Sequence, residues 1–165
     1  MRAATRHSIR VADEVWLATA LLHRENPGRS DFTVSEIVDR ARKEGIAGDL
    51  RPGVYVHALQ HCVANRAPSP ARYRMLYATG KLKRRLFYKG DSYHPARDGA
   101  KITPACDEIP SEYVYLLDWY SSNYAAPQSK ASAENSILEL RGLGREIWEG
   151  VDPDEYVRKL REGWE

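Results

Sequence analysis

Acidic residues are missing from the whole middle of this 165-residue chain. Residues 50–90 contain no Asp or Glu but nine basic side chains, namely Arg51, Arg66, Arg72, Arg74, Lys81, Lys83, Arg84, Arg85 and Lys89. The net charge of the chain is nevertheless only +2, because the residues after 90 are acidic overall. A positive segment of this length produces a field that attracts phosphate groups. The small net charge therefore hides a strongly basic middle.

Cysteine and long apolar runs are also scarce. Two cysteines, Cys62 and Cys106, exclude a disulfide scaffold and fit a reducing compartment. No apolar run approaches the roughly 20 residues that a membrane-spanning helix needs. The basic start, residues 1–7, is not followed by the apolar core of a signal peptide. These absences predict a cytoplasmic protein without a membrane partner.

Two helices are predicted before the basic segment. Residues 12–26 carry apolar side chains at helical spacing and end at a turn sequence. The next helix begins with a capping box, in which Thr33 and Glu36 each accept a hydrogen bond from the other's backbone amide. Gly45 is placed to end that helix in the left-handed conformation.

A third helix is predicted at residues 52–65, between Pro52 and the prolines that follow. Its apolar half consists of Val54, Tyr55, Ala58, Leu59, Cys62 and Val63. Tyr55 is therefore expected in the core rather than stacked on a base. The opposite half presents His57, Gln60 and, at its edge, His61.

A β-hairpin is predicted next, since two runs rich in aromatic and aliphatic residues, 73–78 and 85–88, flank a basic tip that contains Gly80. Residues 91–110 are expected to form an irregular loop, and residues 111–124 a further helix. The predicted fold is thus α+β: a winged helix-turn-helix of three helices plus a hairpin wing, with an additional helix and a helical C-terminal tail. The predicted division is 1–124 for the DNA-binding domain, 125–135 for a linker and 136–165 for the tail.

This order of elements suits double-stranded DNA, because the polar face of the third helix fits a major groove and the hairpin adds cations over the backbone. The residues expected to contact DNA are Arg51, His57, Gln60, His61, Lys81, Lys83, Arg84 and Arg85. Lysines at a hairpin tip also serve to keep it solvated and to block edge pairing, and that alternative stays open.

Catalysis is not predicted. His57 and His61 lie one helical turn apart beside Cys62, which makes a metal site conceivable, but no Glu separates the histidines as a metalloprotease motif requires. The sequence contains neither a phosphate-binding glycine loop nor a nucleophile elbow. We expect no enzyme activity, no cofactor and no metal.

Residues 136–165 follow a small, polar, proline-containing linker and carry Trp148 and Trp164 among charged residues. The stretches Gly144-Arg-Glu-Ile-Trp148 and Asp154-Glu-Tyr-Val-x-x-Leu-Arg161 resemble the toxin-binding tail of type II antitoxins that neutralise PIN-domain ribonucleases. The resemblance covers about thirty residues and implies a toxin partner. It implies that Arg145 enters the acidic metal site of the toxin. The residues expected to bind the partner are Leu140, Leu143, Arg145, Ile147, Trp148, Tyr156, Leu160 and Trp164.

The segment from Phe32 to Tyr88 is similar to winged-helix domains of bacterial proteins, through His57-x-x-x-x-Cys62-Val-Ala-Asn65 and Tyr73-x-x-Leu76-Tyr77. Antitoxins of the type named above usually carry a shorter DNA-binding module. The first hypothesis is an antitoxin-like repressor that binds its operator and neutralises a ribonuclease. A homodimer of the chain is compatible with this hypothesis. The alternative is a winged-helix DNA-binding regulator without a toxin, whose tail packs on its own domain or mediates dimerisation.

Overall fold

The computed structural model describes residues 8–68 and 72–127, and these form an α+β arrangement. Its elements, in chain order, are α1 (Val11–Glu25), β1 (Phe32–Thr33), α2 (Val34–Glu44), α3 (Gly53–Val56), β2 (Leu76–Gly80), β3 (Lys83–Leu86) and α4 (Tyr115–Trp119). Helix α3 continues directly as a π-helical turn, His57–His61, and we call the two together the third helix. Helix α4 is likewise extended by a π-helical segment, Tyr120–Ala125. The tail predicted at 136–165 lies outside the described residues.

Helix α1 is the central element of the core. The predicted helix is confirmed at Val11–Glu25, and its residues 12–21 are all buried. Trp16 has no exposed surface. Because neighbours cover the helix on every side, even Asp13 and Glu14 are buried; Asp13 Oδ1 accepts from Lys101 Nζ at 3.2 Å, and the Glu14 carboxylate pairs with Arg51.

Helix α2 has the predicted ends. Thr33 Oγ1 accepts from the Glu36 amide at 3.2 Å, and the Glu36 carboxylate accepts from the Thr33 amide at 2.8 Å. Gly45 ends the helix with φ of 64°, and its amide donates to the Ala41 carbonyl. Both caps are local features of the sequence, and both predictions are confirmed.

The strands form a three-stranded antiparallel sheet in the order β1-β3-β2. The hairpin is confirmed, but its strands are displaced from the predicted runs, so that the turn contains only Lys81 and Leu82. The strand β1 was not predicted, because two residues beside a helix cap have no periodicity of their own. Phe32 pairs with Arg84 across the sheet. Helices α1, α2 and the third helix with this sheet are compatible with a winged-helix-like fold.

The last described segment is hydrogen-bonded to the end of β3. Residues 91–110 are mostly irregular and contain one 3₁₀ turn, Pro95–Arg97. The helix predicted at 111–124 is present as a 3₁₀ turn, Ser111–Tyr113, followed by α4 and its π-helical extension. Tyr124 donates its hydroxyl hydrogen to the Leu86 carbonyl at 2.9 Å, and Tyr120 donates to the Phe87 carbonyl. Within 8–68 and 72–127, no helix has the length and apolar character needed to cross a membrane.

Candidate nucleic-acid interface

The outer face of the third helix is more apolar than predicted. Of the predicted apolar half, Val54, Ala58, Cys62 and Val63 have no exposed surface, and Leu59 packs partly buried against the core. Tyr55 is 47% exposed and Val56 is 41% exposed. The prediction that Tyr55 lies in the core is therefore wrong, because the core covers the rest of the apolar half but not the edge at which Tyr55 lies.

Gln60 is exposed on this helix, while the two histidines beside it are half-buried. The rings of His57 and His61 meet edge to face, with centroids 4.8 Å apart. His57 Nδ1 lies 2.8 Å from the Gly53 carbonyl oxygen, so that its ring is held by its own helix. Burial lowers the pKa of His57 below its ordinary value. The predicted polar face is present, and Gln60 is its most accessible member.

Arg84 does not lie on the surface of the hairpin. It was predicted as an exposed cation at the tip, and that prediction is wrong, because Arg84 points inward from β3 and has no exposed surface. Its Nε and Nη2 donate to the carbonyls of Ala58 and Leu59 at 3.1 and 2.9 Å. Its Nη1 donates to the carbonyls of Gly80 and Lys83 at 3.0 and 2.7 Å. Arg84 thus joins the end of the third helix to the hairpin turn.

Arg97 repeats this arrangement from the opposite direction. It is also fully buried, and it donates to the carbonyls of Gln60 and His61 at 3.0 and 2.8 Å. The last carbonyls of a helix have no partners within the helix and must be satisfied from outside. Between them the two guanidinium groups bind the four consecutive carbonyls of residues 58–61. Positive charge at a helix C-terminus is further favoured by the helix dipole.

Two other predicted DNA contacts are engaged elsewhere. Arg51, expected to reach a phosphate, instead pairs with the buried carboxylate of Glu14 and donates to the Ile9 carbonyl at 2.8 Å. Arg85 forms a two-pronged pair with Asp91 at 2.5 and 2.7 Å and is mostly buried. The basic segment lacks acids in sequence, but folding brings carboxylates to it from the segments on either side.

Of the remaining cations of the segment, Arg72, Lys81, Lys83 and Lys89 are exposed, whereas Arg66 and Arg74 are half-buried. Lys83 is 57% exposed at its side chain and lies 3.4 Å from Asp31. Lys81 is exposed, and its carbonyl accepts from Arg66 Nη2 at 3.3 Å, so that Arg66 lies beside the turn. Arg72 is exposed as well. Among the described residues, no carboxylate lies within 4.0 Å of Arg66, Arg72 or Lys81.

Arg66 and Arg72 were not among the predicted contacts. Their position in the irregular stretch between helix and hairpin carries no periodicity that would have marked them. Asn65, in the same stretch, extends the hairpin edge: its side-chain amide donates to the Ala78 carbonyl at 3.0 Å and accepts from the Ala78 amide at 2.9 Å. The chain after the third helix is thereby held against β2.

The conceivable metal site at the histidines lacks its third ligand. Cys62 has no exposed surface, and burial raises the pKa of its thiol. In the part of the chain that the structure describes, no three His, Cys, Asp or Glu side chains are grouped so as to hold a metal ion.

The predicted partner-binding residues, from Leu140 to Trp164, lie outside the described residues. No family model, curated protein or solved structure matches this chain. The described residues supply an exposed helix face with Tyr55, Val56 and Gln60 and a hairpin turn at which Lys81 and the adjoining Arg66 have no described carboxylate partner. Chemically, such a surface offers amide hydrogen bonds, apolar contact and phosphate neutralisation.

Proposed function

We propose that the chain is a sequence-specific binder of double-stranded DNA whose N-terminal part acts as a winged helix. The order α1-β1-α2-third helix-β2-β3, with β3 in the centre of the sheet, supports this proposal because it places a hairpin directly beside the end of the third helix. In this arrangement the third helix enters the major groove and the turn of the hairpin lies over the neighbouring backbone.

The observation that carries the proposal is the clamp made by Arg84. It binds carbonyls of the third helix and of the hairpin turn with one guanidinium group, so that Gln60 and Lys81 are presented in a fixed relation. Preorganised contacts lose less entropy on binding than mobile ones. Gln60 is the residue we assign to a base edge, since its amide matches the donor and acceptor of adenine. Lys81 and Arg66 are assigned to phosphates.

The phosphate contacts are tested by the salt dependence of DNA binding. Fluorescence anisotropy with the full chain would compare the double variant Arg66→Gln/Lys81→Gln with Arg42→Gln/Lys43→Gln, which removes the same charge from exposed positions on α2. The first variant is expected to reduce the slope of log K against log salt concentration by about 0.9 for each phosphate that is no longer neutralised. The control is expected to keep the slope. Equal slopes for the two variants would remove the hairpin from the interface.

The base contact is tested separately. Gln60→Ala is expected to weaken binding to the duplex upstream of the chain's own gene by about 1–3 kcal/mol and to leave binding to a random duplex unchanged. If both duplexes lose affinity equally, Gln60 does not read sequence.

We further propose that residues 136–165 neutralise a PIN-domain ribonuclease, which makes the chain an antitoxin-like repressor. The support is the resemblance of the Gly144–Trp148 and Asp154–Arg161 stretches, with Arg145 assigned to the acidic metal site of the toxin. The product of the neighbouring reading frame is the partner to use. Limited proteolysis is expected to cut after residue 133 in the isolated chain and to spare this segment in the presence of that partner. Protection without any partner would favour the alternative, a regulator whose tail packs on itself or mediates dimerisation.

A further inference from the structure

A cavity of about 630 Å³ lies between the end of α1, the loop that follows it, strand β3 and the π-helical extension of α4. This volume lies within the range of small-molecule sites. Two aromatic side chains, Trp119 and Tyr124, line it with ring centroids 5.8 Å apart. Trp119 is half-buried and offers apolar surface to a flat ligand, whereas Tyr124 is only 8% exposed and backs it.

The polar part of the lining is cationic. Three arginines, Arg24, Arg29 and Arg85, line the cavity, and the described lining contains no acidic side chain. The carboxylates of Glu36 and Asp91, which lie outside the lining, pair with Arg29 and Arg85 at 2.6 and 2.5 Å.

Arg24 differs from the other two arginines. It is exposed, its guanidinium carbon lies 4.9 Å from the centroid of the Tyr115 ring, and no described carboxylate lies within 4.0 Å of it. Among the described residues, the cavity therefore has one cation without a counter-charge. His23, which also lines it, is neutral at physiological pH because burial lowers its pKa to about 4.

We propose that this cavity binds an aromatic carboxylate, with the ring against Trp119 and the carboxylate on the guanidinium of Arg24. A single uncompensated guanidinium matches a single negative charge, and its planar fork suits a carboxylate in two-pronged geometry. An aromatic cation is disfavoured by three arginines in the lining, and a neutral aromatic compound leaves Arg24 without the counter-ion.

The site is connected to the wing strand. Tyr124 donates to the Leu86 carbonyl, and His23 Nε2 accepts from the Leu86 amide at 3.4 Å. Arg85 belongs to β3 itself. A bound ligand thus contacts the side chains that hold β3. Because β3 belongs to the hairpin that the proposed function places on DNA, the ligand is expected to change the affinity for DNA. That effect rests on the proposed function, whereas binding of the ligand does not.

Isothermal titration calorimetry of the full chain, without DNA, tests the site. The probe is naphthalene-2-carboxylate, and the neutral 2-naphthamide is its control. The carboxylate is expected to bind, and Arg24→Gln is expected to weaken it about tenfold through removal of a charge-assisted hydrogen bond. Arg42→Gln, an exposed arginine of α2 outside the cavity, is the matched control and should leave affinity unchanged.

Trp119→Leu is expected to weaken the carboxylate and the amide alike, because it removes the stacking surface that both share. Because Arg24 is exposed, its replacement is expected to leave the fold intact. The titration of this variant therefore tests the proposal even where the Trp119 variant unfolds. Absence of binding by the carboxylate at millimolar concentration, equal affinity for the amide, or full affinity of Arg24→Gln would each overturn the site. None of these outcomes depends on DNA binding.

Discussion

At the scale of single residues, the defining feature is a pair of buried arginines that pair with no carboxylate of the described residues. Arg84 and Arg97 are compensated by backbone carbonyls, which carry partial rather than full negative charge. Burial, with a smaller contribution from Arg66, lowers the pKa of Arg84 to about 10. The guanidinium therefore stays charged at physiological pH. Its planar arrangement of donors reaches helix and hairpin at once, which a lysine ammonium cannot do.

Replacing Arg84 by Lys should show how much this geometry contributes. We expect the free energy of unfolding in urea to fall by about 2 kcal/mol, because several buried carbonyls lose their donors. The reverse exchange at the exposed neighbour, Lys83→Arg, is the control, and it should change stability by less than about 0.5 kcal/mol. Equal effects at both positions would mean that burial of Arg84 is unimportant.

His23 makes stability depend on pH. Its ring is buried against Phe32 and Tyr124, and burial, followed by the charge of Arg85, lowers its pKa to about 4 from 6.5. Between pH 4 and pH 6.5, His23 therefore carries a proton in the unfolded chain but not in the folded chain. The stabilisation is therefore complete above pH 6.5 and is lost as the pH falls from 6.5 toward 4.

The variant His23→Gln keeps an acceptor for the Leu86 amide but does not titrate. Urea unfolding at pH 7 and pH 5 is expected to show that the native chain loses roughly 2 kcal/mol more than the variant over this interval. Other titrating groups are common to both proteins and cancel in the comparison. Parallel losses would show that His23 is already protonated in the folded state.

At the scale of elements, helix α2 shows what local sequence decides. Its capping box and its glycine stop depend on residues within a few positions of each other, and both were predicted. Arg29 further stabilises the start of α2 by pairing with Glu36. The hydrogen bond from Arg29 lowers the pKa of Glu36 to about 2; burial opposes this shift, and the hydrogen bonds from Thr33 add to it. The pair between Arg29 and Glu36 spans seven residues and could not be inferred from helical spacing, because Arg29 lies before the helix.

Gly45→Ala tests the end of α2. Gly45 has φ of 64°, where an L side chain is strained, so the free energy of unfolding should fall by about 1 kcal/mol. Gly28→Ala is the matched control, because a methyl group there meets no atom within 4 Å and its φ is not positive. Urea unfolding should show no loss of stability for the control. A neutral Gly45→Ala would contradict the left-handed cap.

The hairpin shows a feature that local sequence does not predict, namely the inward orientation of Arg84. Arg84 alternates with Lys83 and Arg85 along β3, which puts it on the same inward face as Leu86. The alternation of the strand is visible in the sequence, but the run of three basic residues predicts DNA contacts for all three of them. An arginine facing inward is acceptable only where carbonyls converge on it, and those carbonyls come from a helix some 25 residues earlier.

At the scale of the described molecule, folding redistributes the charge that the sequence separates. Glu14 from α1, Asp31 from the loop before β1 and Asp91 after the hairpin each pair with a cation of the acid-free segment. Among the described residues, Lys81 in the hairpin turn and Arg66 beside it have no carboxylate within 4.0 Å, and the same holds for Arg72, Arg74 and Lys89. The long basic segment is therefore partly structural and only partly available to phosphates.

The two buried arginines should also be coupled, because they bind adjacent carbonyls of one helix end from two different segments. In a double-mutant cycle with Arg84→Lys and Arg97→Lys, urea unfolding is expected to give a double variant about 1 kcal/mol more stable than the sum of the single losses. The reason is that one substitution already loosens the end of the third helix, so that the second substitution removes weaker hydrogen bonds and costs less stability. Additive losses would indicate that the two sites act independently.

By itself, the sequence determined the three helices, the hairpin, the caps of α2 and the uneven charge, because these depend on spacing and on neighbours a few residues apart. The tertiary structure alone decided which cations remain free. Arg51 and Arg84 find partners distant in sequence and Arg85 pairs with Asp91 six residues later, while Tyr55 stays exposed at the edge of the apolar half that the core covers. The sequence states which residues carry charge or apolar area. Which charges are paired and which apolar surfaces are buried depends on the neighbours that folding brings to them.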